Sequence, residues 1–352
     1  MVLAAALAAI GWALTLRDPA AAPITTATPF ATVVPTWHGP TPVEIRGLLA
    51  DGATYAPRVF LSGTVSAGVA TGTDGTIQVV LDTAGGSATE LRRLVPTDHA
   101  QVNGFAVGGD TLVWMETTAR SGAASVTTLW RTTWKTAAKP VAVTTNTGAV
   151  NFYGTQTDLV VQDGRAYWTS VGAGAAATEV RSVALTGGQV TTRRLTGEYA
   201  LTTWPWVVSV TGGKGNPVTL RDLNTDVAVS VVTAATELPV CGPTWCRVSV
   251  TTDAGLVGID LMHPDGTARR RIAGPEATPT IADATLLDRY VPLITDRGSG
   301  RIGLSLYDLT TGNTDLVAID VGNVQGRDGV LWWSTGVGSA LVWRAVDLRA
   351  IS

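Results

Sequence analysis

Histidine, cysteine and charge are all scarce in this chain. Its 352 residues include three His and two Cys, and Asp, Glu, Lys and Arg together make up 15%. His38, His99 and His263 stand far apart, and a structural zinc site needs four ligands, so no metal centre is expected. With 25 basic and 28 acidic residues the net charge is −3, which gives no basic footprint for nucleic acid. There is no Gly-x-Ser-x-Gly elbow and no phosphate loop ending in Gly-Lys-Ser/Thr. Gly212-Gly-Lys-Gly215 has the glycines but no helix after it, and reads as a turn.

The two cysteines, Cys241 and Cys246, flank the turn signal Gly242-Pro243, which brings the thiols together. A disulfide is expected, with two free buried thiols as the alternative. So short a loop stabilises by about 2 kcal/mol on the chain-entropy argument. The spacing is not C-x-x-C, which excludes catalytic redox use.

Long apolar runs are nearly absent too. The exception is residues 2–16 (VLAAALAAIGWALTL), closed by Arg17 and Asp18. At about 22 Å of helix it falls short of the roughly 20 residues a bilayer core requires. Residues 1–17 are therefore expected to be a signal peptide or a membrane anchor. Ala20-Ala21-Ala22 offers a small-residue cleavage site, but Pro23 would follow the cut and no basic region precedes the run. An uncleaved anchor with its natural start further upstream is the favoured expectation; a buried helix of a cytosolic protein is the alternative. Residues 18–42 carry Pro at 19, 23, 29, 35, 40 and 42 and read as a stiff tether.

What the chain has in abundance is a repeat. Similar apolar phrases occur at residues 59–65 (VFLSGTV), 111–117 (TLVWMET), 165–171 (RAYWTSV), 206–212 (WVVSVTG), 245–251 (WCRVSVT), 289–295 (RYVPLIT) and 329–336 (GVLWWSTG). Their spacing is 39 to 54 residues, and most are followed by a polar turn and two more strand-like runs. Short strands at such a period mean a radial or linear repeat, and four per unit point to a β-propeller. The expected fold is all-β: seven four-stranded antiparallel blades over residues 43–352, preceded by the apolar segment. The last unit supplies three strands before the chain stops, so residues 43–48 (VEIRGL) are expected to close the ring as the fourth.

Gly164-Arg-Ala-Tyr-Trp-Thr-Ser170 resembles the second-strand phrase of YWTD-like propellers, with looser copies at Asp110-Thr-Leu-Val-Trp114 and Gly329-Val-Leu-Trp-Trp333. The phrase Leu-Tyr-Asp-Leu-Thr-Thr-Gly ending at Gly312 resembles the third strand and turn of bacterial TolB-like and quinoprotein-like propellers. The TolB-like resemblance implies an extracytoplasmic bacterial setting and carries no active site across. Quinoprotein blades continue to a Trp where this chain has Asn313-Thr-Asp-Leu316, so no quinone, and no other cofactor, is expected. The Asp-box, the Gly-His…Trp-Asp pairing and the kelch Gly-Gly signature are missing.

Candidate binding residues lie on the loops from strand four of one blade to strand one of the next: Asp98, His99, Gln101 and Asn103; Asn151 and Tyr153; Glu198 and Tyr199; Glu237; Glu276; Asn323 and Gln325. Polar groups converging from six junctions make a recognition surface, although loops are also polar because they are wet. Asp98-His99 is the one adjacent acid–imidazole pair, but no nucleophile accompanies it. Among the twelve Trp, Trp114, Trp168 and Trp333 occupy equivalent repeat positions and are expected to pack between blades. Trp37, Trp204 and Trp245 fall outside that register and pack at the rim or stack on a partner; Trp204 and Trp206, flanking Pro205, are expected on one side of an extended strand.

The function expected is non-enzymatic: an extracytoplasmic binding or scaffolding propeller, tethered to the cell membrane or secreted, that recognises an envelope protein. The alternative is an envelope hydrolase or lyase acting on a glycan or small metabolite, using carboxylates such as Glu198, Glu237 and Glu276.

Overall fold

The computed structural model describes residues 35–119, 122, 124–174, 177–210, 216–298 and 301–351. The expected signal or anchor at 1–17, most of the tether and the turn at 212–215 lie outside the described residues. Among those described, no helix is long and apolar enough to cross a membrane.

Seven antiparallel sheets follow one another along the chain. Blade one is Thr54–Phe60, Val65–Thr71, Ile77–Thr83 and Ala88–Leu94. Blade two is Gln101–Gly108, Thr111–Thr118, Val126–Thr133 and Val141–Thr144. Blade three has a split first strand, Ala149–Val150 and Leu159–Gln162, then Arg165–Val171, Ala177–Ala184 and Thr191–Thr196. Blade four is Tyr199–Leu201, Trp206–Ser209, Val218–Asp222 and Ala228–Val231. Blade five is Glu237–Cys241, Cys246–Thr252, Gly255–Met262 and Arg270–Ala273. Blade six is Ala277–Pro279, Tyr290–Asp296, Ile302–Asp308 and Thr314–Ile319. Blade seven is Val324–Arg327, Val330–Thr335 and Val342–Asp347, completed by Val43–Arg46 from the other end of the chain.

Six of the seven repeated phrases fall on second strands. The first does not: residues 59–65 run from the end of the first strand of blade one through the turn, and the true second strand is Val65–Thr71. Its sequence, VSAGVAT, has small residues where the other blades carry large ones, so the eye settles on the more apolar stretch before it.

The core is seven seams rather than one centre. Each apolar cluster joins two successive blades, because a strand's alternate residues face a neighbouring sheet on either side. Trp114, Trp168 and Trp333 sit in three of these seams with almost no exposure. The closing seam is built from Ile45, Tyr55, Phe60, Val80, Trp332 and Trp343. There Trp343 Nε1 donates to the Tyr55 carbonyl at 2.8 Å, and Arg46 Nε lies 2.8 Å from the buried Asp82 carboxylate. Thr36 and Trp37 both donate backbone N–H to Leu316, and Trp37 packs into the seam between blades six and seven.

The chain around Pro205 is not extended. Residues 203–206 form a turn closed by Trp206 N–H on the Thr203 carbonyl at 2.9 Å, and the Trp204–Pro205 bond is cis. The two indoles therefore part company. Trp204 lies against Tyr167 of blade three, ring centres 3.8 Å apart, whereas Trp206 packs in the seam towards blade five.

Candidate functional site

Inner strands face the centre of the ring, and their irregularities decide what the centre holds. In blade three Val150 pairs with Ser170 and Leu159 with Trp168, so residues 151–158 leave the sheet opposite Thr169. Asp158 organises this bulge: its carboxylate accepts from Tyr153 N–H at 3.0 Å and from Thr155 Oγ1 at 2.9 Å. Burial pushes the Asp158 carboxyl up despite these bonds. Thr157 Oγ1 donates to the Leu201 carbonyl of blade four at 2.7 Å, which pins the bulge to its neighbour.

Opposite, blade six connects its first two strands through residues 280–289. Arg247, on the second strand of blade five, is buried and holds that connection by donating to the carbonyls of Ile281 at 2.8 Å and Asp283 at 2.5 Å. Burial brings its guanidinium down to about 10. Arg327, ending the first strand of blade seven, donates to Leu159 O of blade three at 3.0 Å and to Phe105 O of blade two, and pairs with Asp328 at 3.1 Å. Blades two and three are not neighbours of blade seven, so this side chain crosses the central space.

Between these elements lies a cavity of about 500 Å³. Its lining comes from the blade-three bulge (Tyr153, Gln156), the first strands of blades four and five, the second and third strands of blade four, and the first-to-second-strand turns of blades four to seven. Asp283, Asp288, Arg327 and Asp328 supply its charge. Among the described residues nothing donates a hydrogen bond to the Asp283 carboxylate, and burial pushes it up to about 6 against the pull of Arg327 and Arg247. Gln156 Oε1 is buried without a partner as well. Cys241 lines the wall and forms the expected disulfide with Cys246, its direct partner in the ladder.

The sequence-derived candidates are spread over the blade junctions. Asp98 closes a single 3₁₀ turn at Pro96–Asp98, and His99 follows in the left-handed region with φ 43°. Gln101 and Asn103 are exposed on the first strand of blade two. Asn151, Tyr153 and Glu198 come together: Tyr153 hydrogen-bonds Asn151, and burial and the Glu198 charge raise its phenol. Tyr199 N–H donates to Thr178 Oγ1 at 2.9 Å. Glu237 is buried, accepts from Arg269 at 2.6 Å and from Ala234 N–H, and is held below the usual carboxylate range by the Arg269 bond. Glu276 lines a separate cavity of about 250 Å³ beside Asp296 and Arg297. Asn323 Oδ1 accepts from Gln325 Nε2 at 2.9 Å. Tyr153 is the residue at which the candidate set meets the central cavity.

Asp283, Gln156 and the two arginines escaped the sequence reading. Asp283 had a signal, a lone acid in the apolar stretch TIADATLL at 280–287; the bulge had one too, since it falls in the longest interval of the repeat, between the phrases at 111 and 165. Among the described residues no group of three or more His, Cys, Asp or Glu is placed to hold a metal ion.

No known protein-family profile matches the chain, and no curated protein does. Solved structures match it. An uncharacterized protein of Listeria monocytogenes EGD-e superposes with a TM-score of 0.55 at 9% identity, covering 87% of this chain and 95% of that one. Tricorn protease gives 0.50 at 10% identity over 88% of this chain, which spans only 34% of tricorn's length. TolB from Acinetobacter baumannii gives 0.40 at 12% identity, over 72% of this chain and 63% of TolB. The likeness is one of fold. A shared architecture leaves the chemistry to the site itself.

Proposed function

We propose that this propeller is a non-enzymatic binding module working outside the cytoplasm, tethered through its N-terminal segment, with an envelope protein as its partner. The observation that carries the reading is the central cavity, lined by the half-buried Asp283 carboxylate, to which none of the described residues donates. Such groups are costly to leave unmatched, and a bound ligand would match them. The Cys241–Cys246 disulfide supports an oxidising compartment. Glu237, named for the hydrolytic alternative, is tied to Arg269 and stays ionised, which unfits it as a general acid.

Affinity capture of the tethered chain from its own membranes, followed by mass spectrometry, tests the reading. One stoichiometric envelope partner is expected, and recovery of the chain alone overturns it. One observation favours the hydrolytic alternative: Asp283, near 6, shares its cavity with Asp288 and Asp328. Turnover of envelope glycan that Asp283→Asn abolishes would decide for that alternative.

A further inference from the structure

The one cation lining the central cavity is engaged, and one of its acids, Asp283, is not. Arg327 directs its guanidinium to Phe105 O, Leu159 O and Asp328. Thr155 donates to Asp158, Thr157 to Leu201 O, and Trp245 Nε1 to Asp288 O at 3.2 Å. Arg247, behind the wall, donates to the carbonyls of Ile281 and Asp283 rather than to a carboxylate. Among the described residues nothing donates to the Asp283 carboxylate, which lines the space. Three acids and one arginine line the cavity, an excess of two negative charges. The rest of the wall is apolar, with Leu201, Val208, Val218, Val240, Leu286 and Leu287.

A ligand for such a space must bring donors, positive charge and an apolar body. We propose that the cavity binds an organic cation, a primary ammonium or guanidinium on an apolar stem, with its head on Asp283. Two sources share that chemistry: a small amine, or a lysine or arginine side chain of the protein partner. The inference rests on the binding reading and gives its cavity a chemistry. An anionic ligand finds no free guanidinium nitrogen on Arg327 and meets Asp283, Asp288 and Asp328.

The charges facing Asp283 are Arg327 and Asp328 from blade seven, Arg247 from blade five and Asp158 from blade three. With Asp283 titrating near 6, the ionised fraction rises about tenfold between pH 5 and pH 7.5. Cation affinity follows it upward.

Calorimetric titration of the purified full chain with benzylammonium, benzyl alcohol and benzoate is the test. Benzylammonium is expected to bind at least tenfold more tightly than either analogue, and about tenfold more tightly at pH 7.5 than at pH 5. Asp283→Asn is expected to lose about tenfold and to flatten the pH dependence; Asp288→Asn, at an exposed position of the same lining, a few-fold. The second variant carries the test if the first does not fold. Benzoate binding as well as benzylammonium, or affinity unchanged in the folded variants, overturns the proposal. Adding N-acetyl-lysine methylamide separates the sources: tighter binding than benzylammonium assigns the site to a partner's side chain, weaker binding to a free amine, and both support a cation site. Titration needs no membrane partner, so failed capture with successful binding sinks only the partner, and the reverse sinks only the cation.

Discussion

Asp283 shows what a single residue costs and supplies. Its folded value near 6 stands above the ordinary 3.8, so the folded state prefers the neutral carboxyl. The stability cost is therefore present above pH 6 and vanishes as pH falls below about 4. Two units of displacement correspond to an upper bound of about 3 kcal/mol. Asn at this position keeps the shape and removes the charge. Asp283→Asn should unfold at higher urea than the parent at pH 8 and at the same urea near pH 4. An unchanged midpoint at pH 8 would show that the carboxylate is solvated rather than buried. A residue that weakens the fold at working pH makes sense where binding needs the charge.

Among elements, the strand seams carry the stability, and the seam between blades one and two shows how. Trp114 Nε1 donates to Glu116 at 2.8 Å, Arg92 from the outer strand of blade one pairs with the same carboxylate at 2.7 Å, and the Arg92 guanidinium lies 3.6 Å from the Trp130 ring centre. Glu116→Gln should cost about 2 kcal/mol, since two charge-assisted bonds to a buried group weaken together. Chemical denaturation measures it; a change under 0.5 kcal/mol, the scale of an ordinary surface substitution, would make the trio ornamental. Second strands such as Thr111–Thr118 and Arg165–Val171 were readable because each puts a Trp at the same seam position. Residues 151–158 were not, since a bulge follows no period. Pairings such as Glu237 with Arg269 join residues 32 apart, and no local pattern announces them. The candidate loops were thus visible by residue type, while the partners that neutralise some of them were set by the fold.

At the scale of the whole molecule, closure is the decisive event. Val43–Arg46 lies on Val342–Asp347 in register, from Val43 opposite Ala345 to Arg46 opposite Val342. A chain beginning at Gly47 loses that strand, the Arg46–Asp82 pair and Ile45 from the closing seam. It should self-associate through the bared edge of Val342–Asp347 and melt well below the parent. Light scattering and thermal unfolding read both effects, and a monomer with the parent's melting point would mean that closure contributes nothing.

The same clasp ties closure of the ring to strands far apart in sequence. Glu44 meets Arg344, 300 positions further along the sequence, so during synthesis Val43–Arg46 waits for Val342–Asp347. Any product cut short before Val342 keeps a bare strand at its front and an unsealed face on blade one. Proteases and chaperones read such exposed edges as damage. Only a chain that has reached Val342–Asp347 can cover Val43–Arg46.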